Sequence, residues 1–235
     1  MKKNFIGVLA WDGKSDDTLS QLELMPGNML NPTTFDFPLR IARVKGADYK
    51  TIVENPDTVV LGNMIEEAKK LAIKGAKAIT TSCGFNAFFQ KELAATVDIP
   101  VFASSLIQIP MVHSSLKPEQ AIGVITAEKR HLTRWHFANT GIPAYIPLCV
   151  ADIANVEEFA KLRDTPDVDF DPKLFINQVA NVAAELVKEN PNIGAIVLEC
   201  TDLPPCASTI REMTGLPVYD IVTLLNMVDK AIGID

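Results

Sequence analysis

The sequence predicts an α/β protein built from two pseudo-symmetric parallel-sheet domains with an active site in the cleft between them. Apolar strand-like runs alternate with longer helical patterns along nearly the whole chain, as in parallel α/β architectures. At 235 residues the chain has room for one large domain or two small ones. The strongest observation is an internal repeat. Ala78-Ile79 matches Ala195-Ile196, Cys83 matches Cys200, Pro100-Val101 matches Pro217-Val218 and Phe102 matches Tyr219, each pair 117 positions apart. Ile6-Gly7-Val8 matches Ile122-Gly123-Val124 at an offset of 116, as one insertion or deletion explains. Short apolar strings recur by chance, but a constant offset across strand, cysteine, turn and next strand favours duplication. Related halves place equivalent strand ends face to face, and open parallel sheets bind ligands at those carboxyl ends.

In chain order, FIGVLA is the first strand. Two lysines before it imitate a secretion signal, but the apolar run from Phe5 to Trp11 meets Asp12 and has no small-residue cleavage pattern. Residues 13–38, punctuated by Gly13, Pro26, Gly27, Asn28, Asn31, Pro32 and Pro38, are too broken for one helix. Leu19, Leu22 and Leu24 suit a short one, and a loop this long points to a lid or binding element. LRIAR is strand-like, and its Arg40 and Arg43 are read mainly as solvated or sheet-edge residues, with a second carboxylate as the minority role. Leu61, Met64, Ile65, Ala68, Leu71 and Ala72 recur at helical spacing, and Gly75 is placed to end that helix. AKAITTS, PVFASS, AIGVIT and GAIVLE are further strands. Between the last two, Phe175, Val179, Val182, Ala183 and Leu186 mark a helix capped by Asp171 and begun at Pro172.

Composition narrows the function. A net charge of -7 without a basic cluster argues against a nucleic-acid partner. No stretch is apolar enough to cross a bilayer, so no membrane partner and a cytoplasmic location are expected. The four cysteines lack CxxC spacing and a histidine pattern, which predicts reduced thiols and no metal. GxGxxG and GxxxxGK[ST] are absent, leaving dinucleotide and triphosphate binding without support. His113, His131 and His136 are read as surface or packing residues, the segment 128–136 as a solvated face, and Cys149 and Cys206 as packed. Ser104 and Ser105 follow a strand and serve equally well as hydroxyl donors or helix caps.

Cys83 and Cys200 are different. Each lies between a strand and a helical pattern, with Phe85, Phe88, Phe89 and Leu93 on one face after the first and Pro204, Pro205, Ile210 and Met213 after the second. A sulfur near a helix N-terminus is expected to favour thiolate, below the ordinary value of about 8.5, and the same N–H groups can bind a carboxylate. Opposed thiols suit a two-base reaction in which one removes a proton beside a carboxylate and the other returns one from the opposite face. That scheme requires no metal or organic cofactor.

The segments TTSCGFNAFF and VLECTDLPP, with the two IGV strand starts, resemble the two cysteine motifs of the aspartate/glutamate racemase superfamily. It includes hydantoin racemase-like, maleate isomerase-like and arylmalonate decarboxylase-like members. The resemblance implies two α/β domains with exchanged ends, here 1–103 plus 218–235 and 104–217, no cofactor, and a homodimer. By motif it makes Cys83 and Cys200 the acid/base pair, with Ser82, Gly84, Phe85, Thr201 and Asp202 as substrate neighbours. Thr126 matches a site-facing threonine, and Trp11 and Asp12 end the first strand at another edge of the site. Glutamate racemases carry aspartate-serine-glycine after the first strand and a histidine two places after the second cysteine. Here Ala10-Trp11-Asp12-Gly13 and Cys200-Thr201-Asp202 stand there, which argues against glutamate as substrate. Asp202 either orients substrate or caps the next helix, and capping is expected.

The function expected from these readings is a cofactor-independent racemase or epimerase that inverts the α-carbon of a small carboxylate, such as aspartate or a related compound. The alternatives are a maleate isomerase-like or arylmalonate decarboxylase-like enzyme, or a catalytically silent metabolite-binding protein.

Overall fold

The computed structural model describes residues 4–13, 19–165 and 168–234, so residues 14–18 of the expected lid lie outside the described residues. Among these, one parallel sheet contains β1 (Phe5–Ala10), β2 (Leu39–Arg43), β3 (Ala76–Thr81) and β4 (Val101–Phe102) in the order β2-β1-β3-β4. A second contains β5 (Ala121–Thr126), β6 (Leu148–Asp152), β7 (Ile193–Leu198) and β8 (Val218–Tyr219) in the order β6-β5-β7-β8. The two orders are the same. Even the irregularities repeat, with register shifts at Phe5/Ile6 and at Ala121/Ile122. Every residue of β1, β5 and β7 is buried, as strands covered on both faces must be.

The helices are α1 (Ser20–Glu23), α2 (Thr58–Ile73), α3 (Gln90–Ala94), α4 (Ile109–Ser114), α5 (Arg134–Asn139), α6 (Glu157–Asp164), α7 (Pro172–Glu189), α8 (Ala207–Thr214) and α9 (Ile221–Ile232). The anticipated punctuation is present. Asp171 accepts from the Lys173 and Leu174 N–H groups at the start of α7, and Gly75 adopts φ +103° just past α2. Met64, Ala68 and Leu71 of α2 and Phe175, Val179, Ala183 and Leu186 of α7 bury the predicted faces. Strand β6 was not foreseen. Its five residues are all half-buried at a sheet edge, and its apolar run, Leu148 to Ala151, is only four residues long and lacks strict alternation, too short to stand out as a strand.

The chain ends are exchanged. After β4 the chain crosses to the second sheet, where Leu106, Ile109 and Val112 pack with Ile122, Val124, Ala195 and Val197. After β8 it returns, and Ile221, Leu224, Leu225 and Val228 of α9 pack on Ile6, Val8 and Ala78. Each such buried side chain contributes about 1.5–3 kcal/mol, so the crossing helices bind the halves firmly. Because β8 pairs with β7, Val218 and Tyr219 belong to the second sheet, and the return crossing follows Tyr219 rather than Pro217. Among the described residues no helix is long and apolar enough to cross a membrane.

Candidate active site

Four strands end around one cavity. Trp11 follows β1, Ser82, Cys83 and Gly84 follow β3, Ala127 and Glu128 follow β5, and Cys200, Thr201 and Asp202 lie just beyond β7. The cavity measures about 90 Å³, space for roughly six to nine waters and hence for a small metabolite. Asn28 and Met29 close it from the segment after α1, Tyr49 and Val53 from the segment before α2, and Phe159 and Arg163 from α6. The halves are joined at the site itself, where the Thr201 hydroxyl donates to the Ser82 carbonyl at 2.6 Å.

Both sulfurs are half-buried and unbridged. Each receives a backbone N–H from two residues on, Cys83 from Phe85 and Cys200 from Asp202. The Phe85 N–H comes from the short 3₁₀ turn Gly84–Phe89 and the Asp202 N–H from the turn at Thr201 and Asp202, ahead of the 3₁₀ turn Pro204–Cys206, rather than from the starts of long α-helices. The expected thiolate is therefore corrected. Burial, then the charge of Glu199, pushes the Cys83 thiol up despite the Phe85 N–H and the Trp11 indole. Burial, then Asp202 and Glu199, pushes Cys200 well up. With both raised above the ordinary thiol value, the two groups favour the neutral thiol at neutral pH. Their surroundings differ, because Cys200 directs its S–H toward Asp202 Oδ2 at 3.9 Å, whereas Cys83 lies beside the Trp11 indole, whose buried Nε1 makes no hydrogen bond of ordinary geometry.

Asp202 does not cap a helix. Its Oδ1 accepts from Asn28 Nδ2 at 2.9 Å, tying the fully buried Asn28 to the cysteine loop across 174 positions. Directly before Cys200, Glu199 is also fully buried. Its Oε2 accepts from the Thr126 hydroxyl at 2.7 Å while Oε1 has no partner, and burial raises its pKa to about 7. A Cβ at position 84 would collide with the Glu199 carbonyl and carboxylate, so glycine there is a matter of space.

At the opposite wall Glu128 is 2% exposed. It accepts from the Tyr49 hydroxyl at 2.9 Å and from Arg130 Nε at 2.9 Å, with Arg163 Nη1 at 3.8 Å. Burial raises the Tyr49 pKa. Within the segment 128–136 Lys129, Arg130, Thr133, Arg134 and Trp135 are exposed, as a solvated face requires, while Glu128 lines the cavity and His131 sits beside Tyr49 and Glu128. His136 is buried edge-on to Phe85 and Phe88, and burial lowers its pKa to about 4. Ser104 caps the turn after β4, and the Ser105 hydroxyl donates to Leu198 O at 2.6 Å.

Of the residues singled out by sequence, Trp11, Ser82, Cys83, Gly84, Phe85, Cys200, Thr201 and Asp202 all line the cavity. Thr126 does not. It is fully buried with its hydroxyl spent on Glu199, so it acts behind the wall. Sequence reasoning named Asn28 only within the expected lid or binding loop, and missed Tyr49, Glu128, Phe159, Arg163 and Glu199 as site residues. Only Glu199 left a signal, as a carboxylate ending the otherwise apolar GAIVLE strand.

A family model described as Asp/Glu/Hydantoin racemase matches residues 39–226. The chain is 27% identical over 207 residues to a dimethylsulfoniopropionate lyase of Durusdinium sp. clade D, covering 84% of this chain and 67% of that one. It is 33% identical over 181 residues to dimethylsulfoniopropionate lyase 7 of Emiliania huxleyi (strain CCMP1516), covering 74% of this chain and 52% of that one. The chain thus spans between about half and two thirds of the length of these relatives. Among solved structures it resembles an allantoin racemase from Pseudomonas fluorescens, with TM-score 0.62, 15% identity, and coverage of 97% and 89%. It also resembles an aspartate racemase homologue from Pyrococcus horikoshii OT3, with TM-score 0.60, 15% identity, and coverage of 98% and 99%. At such identities these structures show the fold alone.

The curated relatives overturn the expectation of a racemase that inverts an α-carbon, since they are named lyases. The physical reason is that both reactions begin by removing a proton beside a carboxylate. The outcome depends on what the next carbon carries, which cysteine motifs do not encode.

Proposed function

Because the chain belongs to the Asp/Glu/hydantoin racemase family, we propose that it is a lyase that removes the proton beside a small carboxylate and expels a leaving group from the neighbouring carbon, with dimethylsulfoniopropionate as substrate. The observation that carries the reading is a thiol pair under a wall that suits an onium ion. Trp11, Tyr49, Phe85 and Phe159 offer aromatic faces, and Glu23, Glu128 and Asp202 offer carboxylates. Arg43 and Arg163 line the same cavity and are the cations for the substrate carboxylate.

The charge of the sulfonium drives the first step. Its arrival offsets the carboxylates that keep the thiols protonated and favours a thiolate. Cys83 is the base, since Phe85 N–H and the Trp11 indole favour its anion, while Cys200 keeps a proton directed at Asp202. The Cys83 thiolate takes the proton next to the carboxylate. The freed electron pair forms the carbon–carbon double bond, the carbon–sulfur bond breaks, and its electrons leave on neutral dimethyl sulfide. Acrylate remains, and the Cys83 thiol passes its proton to water. A positioned base of this kind contributes roughly 10²–10⁴-fold, and the negative charge that develops on the carboxylate is met by Arg43 and Arg163. The scheme is complete without a cofactor.

The test is gas chromatography of dimethyl sulfide above protein incubated with dimethylsulfoniopropionate, with acrylate followed by proton NMR. Equal amounts of both products are expected, with release lost in Cys83→Ser. Folded wild-type protein that releases no dimethyl sulfide overturns the reading, as does undiminished release by Cys83→Ser.

A further inference from the structure

The proposed elimination uses the two thiols but leaves unexplained the buried carboxyl between them. Glu199 follows β7 directly before Cys200, and its side chain turns inward rather than into the cavity. Thr126 from β5 holds one oxygen, while the other is buried without a partner. Gly84, adjacent to Cys83, leaves the space that the carboxyl fills. Ser105, on the turn after β4, donates to the backbone carbonyl of Leu198 and reaches that of Glu199, at 2.6 and 3.5 Å. The glutamate is therefore built in from three sides. An orphaned carboxylate oxygen is costly, and a chain with only packing to satisfy would carry an apolar residue at this place.

This carboxyl lies close to both cysteines, directly before Cys200 in the chain and against Gly84, the neighbour of Cys83, and a negative charge so placed disfavours both thiolates. It is the largest charge effect on Cys83 and follows Asp202 at Cys200. The titratable groups nearest the thiols are Glu199 just after β7, Asp202 on the same loop, and the thiols themselves, with Glu23, Arg43, Tyr49, Glu128 and Arg163 on the other walls of the cavity and with Thr126 and the backbone N–H groups of Phe85 and Asp202 as neutral donors. We propose that Glu199 is a positioning residue for the thiol pair, whose buried negative charge keeps Cys83 and Cys200 protonated and unreactive until a cationic substrate enters the cavity. Glu199 touches no substrate and acts only through the sulfurs. The empty site is thereby protected from oxidation and alkylation, and a neutral or anionic ligand fails to arm it. The inference rests on Cys83 and Cys200 being the reacting pair, but its test reads thiol chemistry rather than turnover.

The experiment measures the rate of iodoacetamide alkylation against pH at each cysteine separately, by peptide mass spectrometry, in wild type and Glu199→Gln. The amide keeps the shape and accepts the Thr126 bond. The midpoints for Cys83 and Cys200 are expected about one to three pH units lower in the variant, the size of shift a neighbouring charge imposes, with Cys149 unmoved. Unchanged midpoints at Cys83 and Cys200 in a folded variant overturn the proposal, whether or not dimethylsulfoniopropionate is the substrate. Should the variant fail to fold, infrared titration of wild type decides. The band of a protonated carboxyl is expected to fade near pH 7 while the S–H bands persist, and loss of S–H intensity first overturns the proposal.

Discussion

Glu199 makes a quantitative prediction about stability that is independent of any substrate. Its carboxyl ionises at about pH 7 in the folded chain against 4.5 for the free group, because burial disfavours its charge more than Thr126 favours it. The folded state therefore holds this proton more tightly than the unfolded state. The stability that results is fully present below pH 4.5 and is lost as pH rises through 7. Two and a half pH units correspond to about 3 kcal/mol, a large fraction of the ~5–15 kcal/mol that holds a domain folded. Glu199→Gln removes the titration and keeps the volume, so any cost of the amide itself is the same at every pH. The difference in unfolding free energy between variant and wild type is expected to stay level below pH 4.5. It then moves in favour of the variant by about 3 kcal/mol between there and about pH 8. Urea unfolding followed by circular dichroism at closely spaced pH values measures this directly. A difference that is the same at both ends of the range refutes the account of Glu199 as a buried, titrating carboxyl.

Four further outcomes are expected. His136, whose pKa burial lowers from 6.5 to about 4, has the opposite sign: its stability is present above pH 6.5 and lost as pH falls through 4, by up to about 3 kcal/mol. His136→Gln is expected to flatten that acid limb in the same urea series, and a parallel curve counts against it. Gly84→Ala forces a Cβ onto the backbone of Glu199 and is expected to lower the unfolding free energy by about 1–3 kcal/mol, where wild-type stability would show the contact is not tight. Gln90→Ala leaves Val101 O and Ala103 N without the amide that joins them to α3. Each orphaned group costs about 1–3 kcal/mol, read as a lower thermal midpoint. For the proposed lyase, Cys83→Ser is expected to reduce dimethyl sulfide release by roughly 10²–10⁴-fold and Cys200→Ser by less, and equal losses would make the two sulfurs equivalent.

The internal repeat made most of the fold legible. An offset carried by Cys83 and Cys200, by the IGV strand starts and by the two PV strands was enough to specify two equal sheets whose ends face a shared cavity, and the structure has that arrangement. Periodicity and caps did the rest for α2 and α7, because long amphipathic helices with a capping aspartate or a closing glycine are locally determined. Strand β6 was missed because its apolar run, Leu148 to Ala151, is at the lower limit of strand length and does not alternate. The site was legible only where a motif lay at a strand end. Tyr49, Glu128 and Arg163 come from separate segments and meet through tertiary packing, which leaves no spacing to read. The thiolate expectation failed for a related reason. A nearby N–H is a local feature, but the burial that outweighs it is a property of the closed cleft, and Glu199 and Asp202, which flank Cys200 in the sequence, reach Cys83 only through that closure.

One scaffold can serve inversion or elimination because the two reactions share their most difficult step. Proton removal next to a carboxylate builds an enolate-like charge, and both reactions need that charge stabilised by aimed donors. After that they compete on what happens to the electron pair. With no leaving group on the neighbouring carbon, the pair waits for a proton, and a second thiol on the far face decides the stereochemistry. With a sulfonium there, expulsion of a neutral sulfide is immediate and the second thiol has no proton to deliver. Cys200 is then free to take another role, and its S–H directed at an Asp202 that is itself held by Asn28 fits a fixed donor better than a second base. In deuterated water the two fates separate cleanly: unreacted substrate recovered part-way through an elimination carries little deuterium next to its carboxylate, whereas a site working by inversion returns it labelled. Low label together with acrylate formation would place the commitment at the leaving group, and therefore in the aromatic and acidic wall that receives it.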